Sequence, residues 1–104
     1  QAKTRKGEWL DVCPEENHIV INVGDMLSRL TNNRLRSTIH RVINPPKEKW
    51  HLPRYSTPFF LHPRSEMDLT TLDSCISDER PKKYPNITAG EFLLERIREL
   101  GLNR

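Results

Sequence analysis

Apolar and polar positions alternate from Glu8 to Cys13 (EWLDVC), directly after Gly7. This is the pattern of a half-buried strand entered from a turn, and Pro14 closes it. After the polar PEEN, HIVINV at residues 18–23 is a β-branched run short enough for a buried strand, followed by a turn at Gly24-Asp25. Met26, Leu27 and Leu30 then recur at helical spacing, ahead of Asn32-Asn33, whose residue types predict a loop tip. Alternation resumes over residues 36–44 (RSTIHRVIN). Thr38, His40 and Val42 fall on one face, and Ser37, Ile39, Arg41 and Ile43 on the other, until Pro45-Pro46 ends the strand. RYSTPFFLH at residues 54–62 predicts another strand, which Pro58 assigns to a sheet edge or a bulge.

Pro63 to Asn86 is charged and turn-rich, and predicts a mobile loop with at most one short strand around Leu69 to Leu72. Thr88 then has the signature of a helix N-cap. Glu91, three residues on, completes a capping box, and Phe92, Leu93, Ile97 and Leu100 follow at helical spacing before Gly101. Four or five strands and one long helix, with no βαβ alternation, predict an antiparallel sheet structure such as a sandwich or jelly roll. So few strands cannot close two sheets, so part of the architecture is expected to lie outside these residues.

At 104 residues the chain has room for one small core. Its 30% charged and 35% apolar residues are a polar balance, and the dense apolar runs make at least partial folding the expectation. Seventeen basic residues interspersed with fourteen acidic ones give a net charge of +3, too small and too scattered to predict a nucleic-acid partner. Cys13 and Cys75 belong to no CxxC pair and have no ligand-spaced histidine beside them, so two reduced thiols are expected. Neither a membrane-length apolar stretch nor the apolar core of a signal peptide is present, which makes a cytoplasmic protein the default expectation.

The most informative residues lie between Val20 and Pro63: Asn22-Val23-Gly24-Asp25, Thr31-Asn32, Ser37-Thr38-Ile39-His40-Arg41-Val42 and Arg54-Tyr55-Ser56. In this order they closely resemble the C-terminal half of the isopenicillin N synthase-like iron(II)/2-oxoglutarate dioxygenases. KYPNITAGEFLLERIREL, from Lys83 to Leu100, is similar to the closing helix of bacterial members. The resemblance implies a mainly β fold, a partial double-stranded β-helix (jelly roll, cupin-like) with a C-terminal α-helix. It also implies that residues 1–104 are the C-terminal portion of a single dioxygenase domain, truncated at its N-terminus.

In that family iron(II) is held by two histidines and a carboxylate, which leaves positions open for cosubstrate and oxygen. The resemblance makes His40 the distal histidine ligand. Arg54 and Ser56, two apart and therefore on one face of a strand, become the clamp on the distal carboxylate of 2-oxoglutarate. A guanidinium fork matches a carboxylate with two parallel hydrogen bonds, and a hydroxyl adds a third. The implied chemistry is oxidation of a small-molecule substrate coupled to decarboxylation of 2-oxoglutarate, with ascorbate as a possible reductant.

The departure from the pattern is the His-x-Asp pair that supplies the other two ligands. No such triple occurs here; the nearest are His18-Ile19-Val20, His51-Leu52-Pro53 and His62-Pro63-Arg64. Its absence is expected if Gln1 is an internal residue of a longer enzyme. His18, His51 and His62 have no motif around them and are assigned no metal. Asn22, Gly24 and Asp25 are expected to form a structural turn, Phe59 and Phe60 to join a core, and Trp9 and Trp50 to serve packing or surface contact. The competing reading is a non-catalytic jelly-roll binding module that retains the dicarboxylate clamp. A basic nucleic-acid surface around Lys82-Lys83 is a weaker third.

Overall fold

Gly7, at φ 89, sits in the left-handed region that glycine enters without steric cost and turns the chain back on itself. Around it the Gly7 N–H donates to the Thr4 carbonyl at 3.0 Å, and the Thr4 N–H donates to the Glu8 carbonyl at 2.8 Å. The turn joins β1 (Ala2–Lys3) to β2 (Trp9–Leu10), paired antiparallel with Ala2 opposite Leu10 and Lys3 opposite Trp9. This is a computed structural model in which residues 1–102 are described. The chain forms two compact units, Gln1–Ile21 with Thr38–Leu61, and Asn22–Ser37 with the chain from His62 onward.

The first unit is built on the hairpin. On the other side of β1, Ala2 bridges to His40, the Lys3 N–H donates to the Ile39 carbonyl at 2.8 Å, and the Arg41 N–H donates to the Gln1 carbonyl at 2.9 Å. The result is a small three-stranded antiparallel patch with β1 at its centre. The expected strand at 8–13 is thus reduced to Trp9–Leu10, and the one at 36–44 to a single bridge at His40. Residues 18–23 and 54–62 form no ladder at all, and Ile19 and Ile21 are 84% and 82% exposed. The expectation that Phe59 and Phe60 join a core is also overturned, since both are exposed. The physical reason is common to all of them. A β-branched run becomes a strand only when a neighbouring segment pairs with it along its length and covers its side chains, and among the described residues these runs gain no such ladder.

The second unit contains the core. Helix α1 (Asp25–Leu30) follows Gly24 and ends where Asn32 and Asn33 take φ 49 and 62, conformations that asparagine tolerates better than most residues. Helix α2 (Ala89–Glu99) begins with the expected capping box: the Thr88 hydroxyl accepts from the Glu91 N–H, and the Glu91 carboxylate accepts from the Thr88 N–H at 2.9 Å. Leu69, Ala89 and Phe92 are buried together, with Met26 and Ile87 packed against them. Covering a leucine of this kind contributes about 2 kcal/mol. Gly90 allows close approach, because a Cβ there would stand 3.0 Å from the Ser65 side chain and 3.2 Å from its carbonyl oxygen.

Two expectations about this unit need correction. The turn-rich segment 63–86 is not a loose loop: the Leu69 N–H donates to Ile87 and the Ala89 N–H to Met67, both at 2.9 Å, and Leu69, Thr71 and Cys75 are buried. Asn32 is not a loop tip either. It is 1% exposed, its amide nitrogen lies 3.1–3.3 Å from the carbonyl oxygens of Cys75, Arg80 and Pro81, and its own oxygen accepts from the Lys83 N–H. One asparagine side chain thereby replaces the ladder that a segment without regular structure lacks. Next to it, Asn33 accepts from Ser28 and from the Tyr84 hydroxyl, each at 2.8 Å.

Candidate active site

All three residues singled out by their motifs, His40, Arg54 and Ser56, belong to the first unit. His40 stands in the row Leu10–Ala2–His40 across the patch, so these three share one face. Its neighbour Arg41 lies on the opposite face with Gln1 and Trp9, as the alternation predicts. His40 Nδ1 is 2.9 Å from the Thr38 carbonyl oxygen. A carbonyl only accepts, so Nδ1 carries the proton and Nε2 is left with its lone pair. The imidazole is exposed, and in the neutral ring this contact leaves Nε2 as the nitrogen able to ligate a metal.

Arg54 lines an open pocket of about 440 Å³ whose walls include Val42, Asn44, Pro45, Trp50 and Leu52. The pocket follows from local chain chemistry. Pro45-Pro46 stops the preceding segment, a 3-10 turn spans Lys47–Lys49, and the Trp50 indole N–H donates to the Pro45 carbonyl at 2.8 Å, folding the turn back on itself. A guanidinium beside an indole and an amide is a surface suited to a carboxylate. Ser56, two residues further, is exposed and is not among the pocket-lining residues, and neither is His40. The structure therefore places Arg54 in a pocket and orients His40, and it does not gather the three into one cavity.

The residue missed from sequence alone is Trp50, taken there as packing or surface contact; no spacing rule marks an indole that braces a pocket through a hydrogen bond to the backbone. Among the described residues no group of three or more His, Cys, Asp or Glu side chains is arranged to hold a metal ion. Of the donors needed for iron, the chain offers the imidazole of His40, a nitrogen ligand of suitable type. Two carboxylates titrate below their usual range, and both lie in the second unit. Asp68 is lowered by hydrogen bonds from the Thr70 hydroxyl and N–H, and Glu91 by those from the Thr88 N–H and hydroxyl. They stabilise a turn and a helix start.

The motif residues, the backbone around them and the comparisons with other proteins agree on a class. The sequence model of the 2OG-Fe(II) oxygenase superfamily matches residues 1–63, and the chain belongs to that family. Among curated relatives it is 38% identical over 92 residues to kihadalactone A synthase of Citrus sinensis, covering 88% of this chain and 26% of that protein. It is also 38% identical over 87 residues to a 2-oxoglutarate-Fe(II) type oxidoreductase of Emericella nidulans, covering 84% and 24%. The chain spans about a quarter of the length of these relatives.

Solved structures extend the match through the C-terminal helix. A 2OG-Fe(II) oxygenase family protein of Caulobacter crescentus superposes with a TM-score of 0.88 at 54% identity, over 95% of this chain and 33% of that one. A full-length Neurospora crassa protein, solved in complex with α-KG, superposes at 0.74 with 29% identity, over 94% and 30%. These neighbours are oxygenases of the double-stranded β-helix fold, of which the described residues display little paired sheet.

Proposed function

We propose that residues 1–104 are the C-terminal portion of an Fe(II)- and 2-oxoglutarate-dependent dioxygenase domain that oxidises a small organic substrate. The observation that carries this reading is the orientation of His40, whose Nδ1–H is engaged by the Thr38 carbonyl so that Nε2 is free to donate. His40 is the distal iron ligand. Arg54, set in its pocket beside Trp50, pairs with the distal carboxylate of 2-oxoglutarate, and Ser56 supplies a further hydroxyl donor to the same group. Bound iron(II) supplies the redox chemistry that couples decarboxylation of 2-oxoglutarate to substrate oxidation.

This chain's residues orient the cosubstrate and direct one ligand nitrogen away from the backbone. Burial of the pocket around Arg54 by further chain would strengthen its hold on a carboxylate, because charge pairing is stronger away from water. The exposed apolar positions Ile19, Ile21, Phe59 and Leu61 have the composition of a face that further chain of the same domain covers. The remaining ligands, a His-x-Asp pair, are assigned to that further chain. A second reading, a jelly-roll module that binds a dicarboxylate without metal, is favoured by the lack of a three-ligand cluster among the described residues.

The test is production of succinate from 2-oxoglutarate with iron(II) and ascorbate. The 104-residue chain alone is expected to produce none, and a longer polypeptide bearing this segment and an upstream His-x-Asp is expected to turn over. Steady turnover by the chain alone would overturn the assignment of the missing ligands. An inert longer protein that still binds 2-oxoglutarate without metal would favour the binding module.

A further inference from the structure

On the face of the β1 patch opposite His40, four side chains form a continuous polar ladder. The Gln1 amide nitrogen donates to Asp11 Oδ1 at 2.9 Å, and the Gln1 amide oxygen accepts twice from Arg41, from Nε at 3.0 Å and Nη2 at 2.8 Å. The Arg41 guanidinium also lies 4.0 Å from the centre of the Trp9 ring, which Lys3 approaches at 5.7 Å. Arg41 thus reaches across β1 to β2 and ties all three segments of the patch together.

Register is the property such a tie controls. Side chains alternate along a strand, so a slip of one residue between β1 and residues 39–41 would carry His40 to the opposite face. Only one bridge and three backbone hydrogen bonds, two of them to Gln1, define that pairing, which is little to hold a register. A planar fork stacked on an indole and hydrogen-bonded to a side-chain carbonyl adds directional constraint at the residue next to His40. We infer that Arg41, through Trp9 and Gln1, is a positioning residue that fixes the strand register, and thereby the face, of His40. Its importance for iron rests on the assignment of His40 as a ligand, whereas the register lock itself does not.

The test uses the 104-residue chain and NMR. Nuclear Overhauser contacts between the Ala2 and His40 α-protons report the register, and hydrogen exchange reports the Lys3 and Arg41 amides that flank it. In Arg41→Met, exchange at these two amides is expected to rise by roughly tenfold, the Ala2–His40 contact should weaken, and the Leu69 and Ala89 amides of the other unit should be unchanged. Unchanged exchange and an unchanged Ala2–His40 contact would overturn the lock. If Arg41→Met unfolds the chain, Trp9→Phe, which keeps an aromatic face, is compared with Trp9→Ala. Retention of the Ala2–His40 contact by Phe but not Ala supports the lock, and equal behaviour of the two overturns it. A locked His40 in a full-length protein that binds iron equally well as His40→Ala would leave the lock standing and remove the ligand assignment.

Discussion

The two units of the chain divide stability and chemistry between them. The second holds the buried cluster of Leu69, Ala89 and Phe92 and the hydrogen-bonding hub of Asn32, and it carries none of the candidate site residues. The first holds His40, Arg54 and Ser56, yet leaves Ile19, Ile21, Tyr55, Phe59 and Leu61 more than four-fifths exposed. The candidate site residues sit on a surface held by hydrogen bonds and cation–π stacking, and the apolar core lies elsewhere in the chain. Substitutions should therefore separate cleanly into those that unfold and those that disarm.

The largest expected effect on stability is at Leu69. Leu69→Ala should destabilise the chain by about 2–5 kcal/mol in denaturant unfolding, because it empties a fully buried site. Asn32→Asp comes next. It exchanges an amide donor for an acceptor facing the carbonyls of Cys75, Arg80 and Pro81, and should cost about 1–3 kcal/mol, whereas a solvated loop-tip residue would cost almost nothing.

Thr88→Ala removes the cap of α2 and should cost about 1 kcal/mol. The same cap predicts a pH dependence. Glu91 is held below its ordinary value in the folded chain by the Thr88 N–H and hydroxyl, so its contribution is complete above the usual glutamate range and is lost as pH falls through its lower, folded value. Acid titration of the α2 amides should show fraying of the first helical turn below the ordinary glutamate range, and earlier in Thr88→Ala. Smallest of all, Phe59→Ala should change stability by no more than about 0.5 kcal/mol, since its ring is already in water. A loss comparable to that of Leu69→Ala would erase the contrast between the units.

What was legible in the sequence follows the range of the interactions. The cap and helix at Thr88 depend on residues three and four apart, and both appear where the spacing predicts them. The alternation around His40 is equally local, and its opposition to Arg41 was legible for that reason. Strands at 18–23 and 54–62 depend on partners, which no periodicity supplies, and there the apolar runs form no strand. The burial of Cys75 and Thr71 in a turn-rich segment was hidden because the Cys75 carbonyl accepts from Asn32, 43 residues away, and the Thr71 hydroxyl donates to the Arg29 carbonyl, 42 residues away. His40, Arg54 and Ser56 were singled out by motif order, whereas the pocket beside Arg54 needed Trp50 and Pro45 to meet in space.

The central claim is that two residues of one unit serve two different ligands. Its most direct test is to measure iron(II) and 2-oxoglutarate affinities separately in an intact oxygenase carrying this segment, with either His40 or Arg54 replaced by alanine. His40→Ala should lose iron, and Arg54→Ala should weaken 2-oxoglutarate by roughly 10–100-fold while leaving iron nearly unchanged. Equal loss of both ligands in Arg54→Ala, or full iron affinity in His40→Ala, would contradict it.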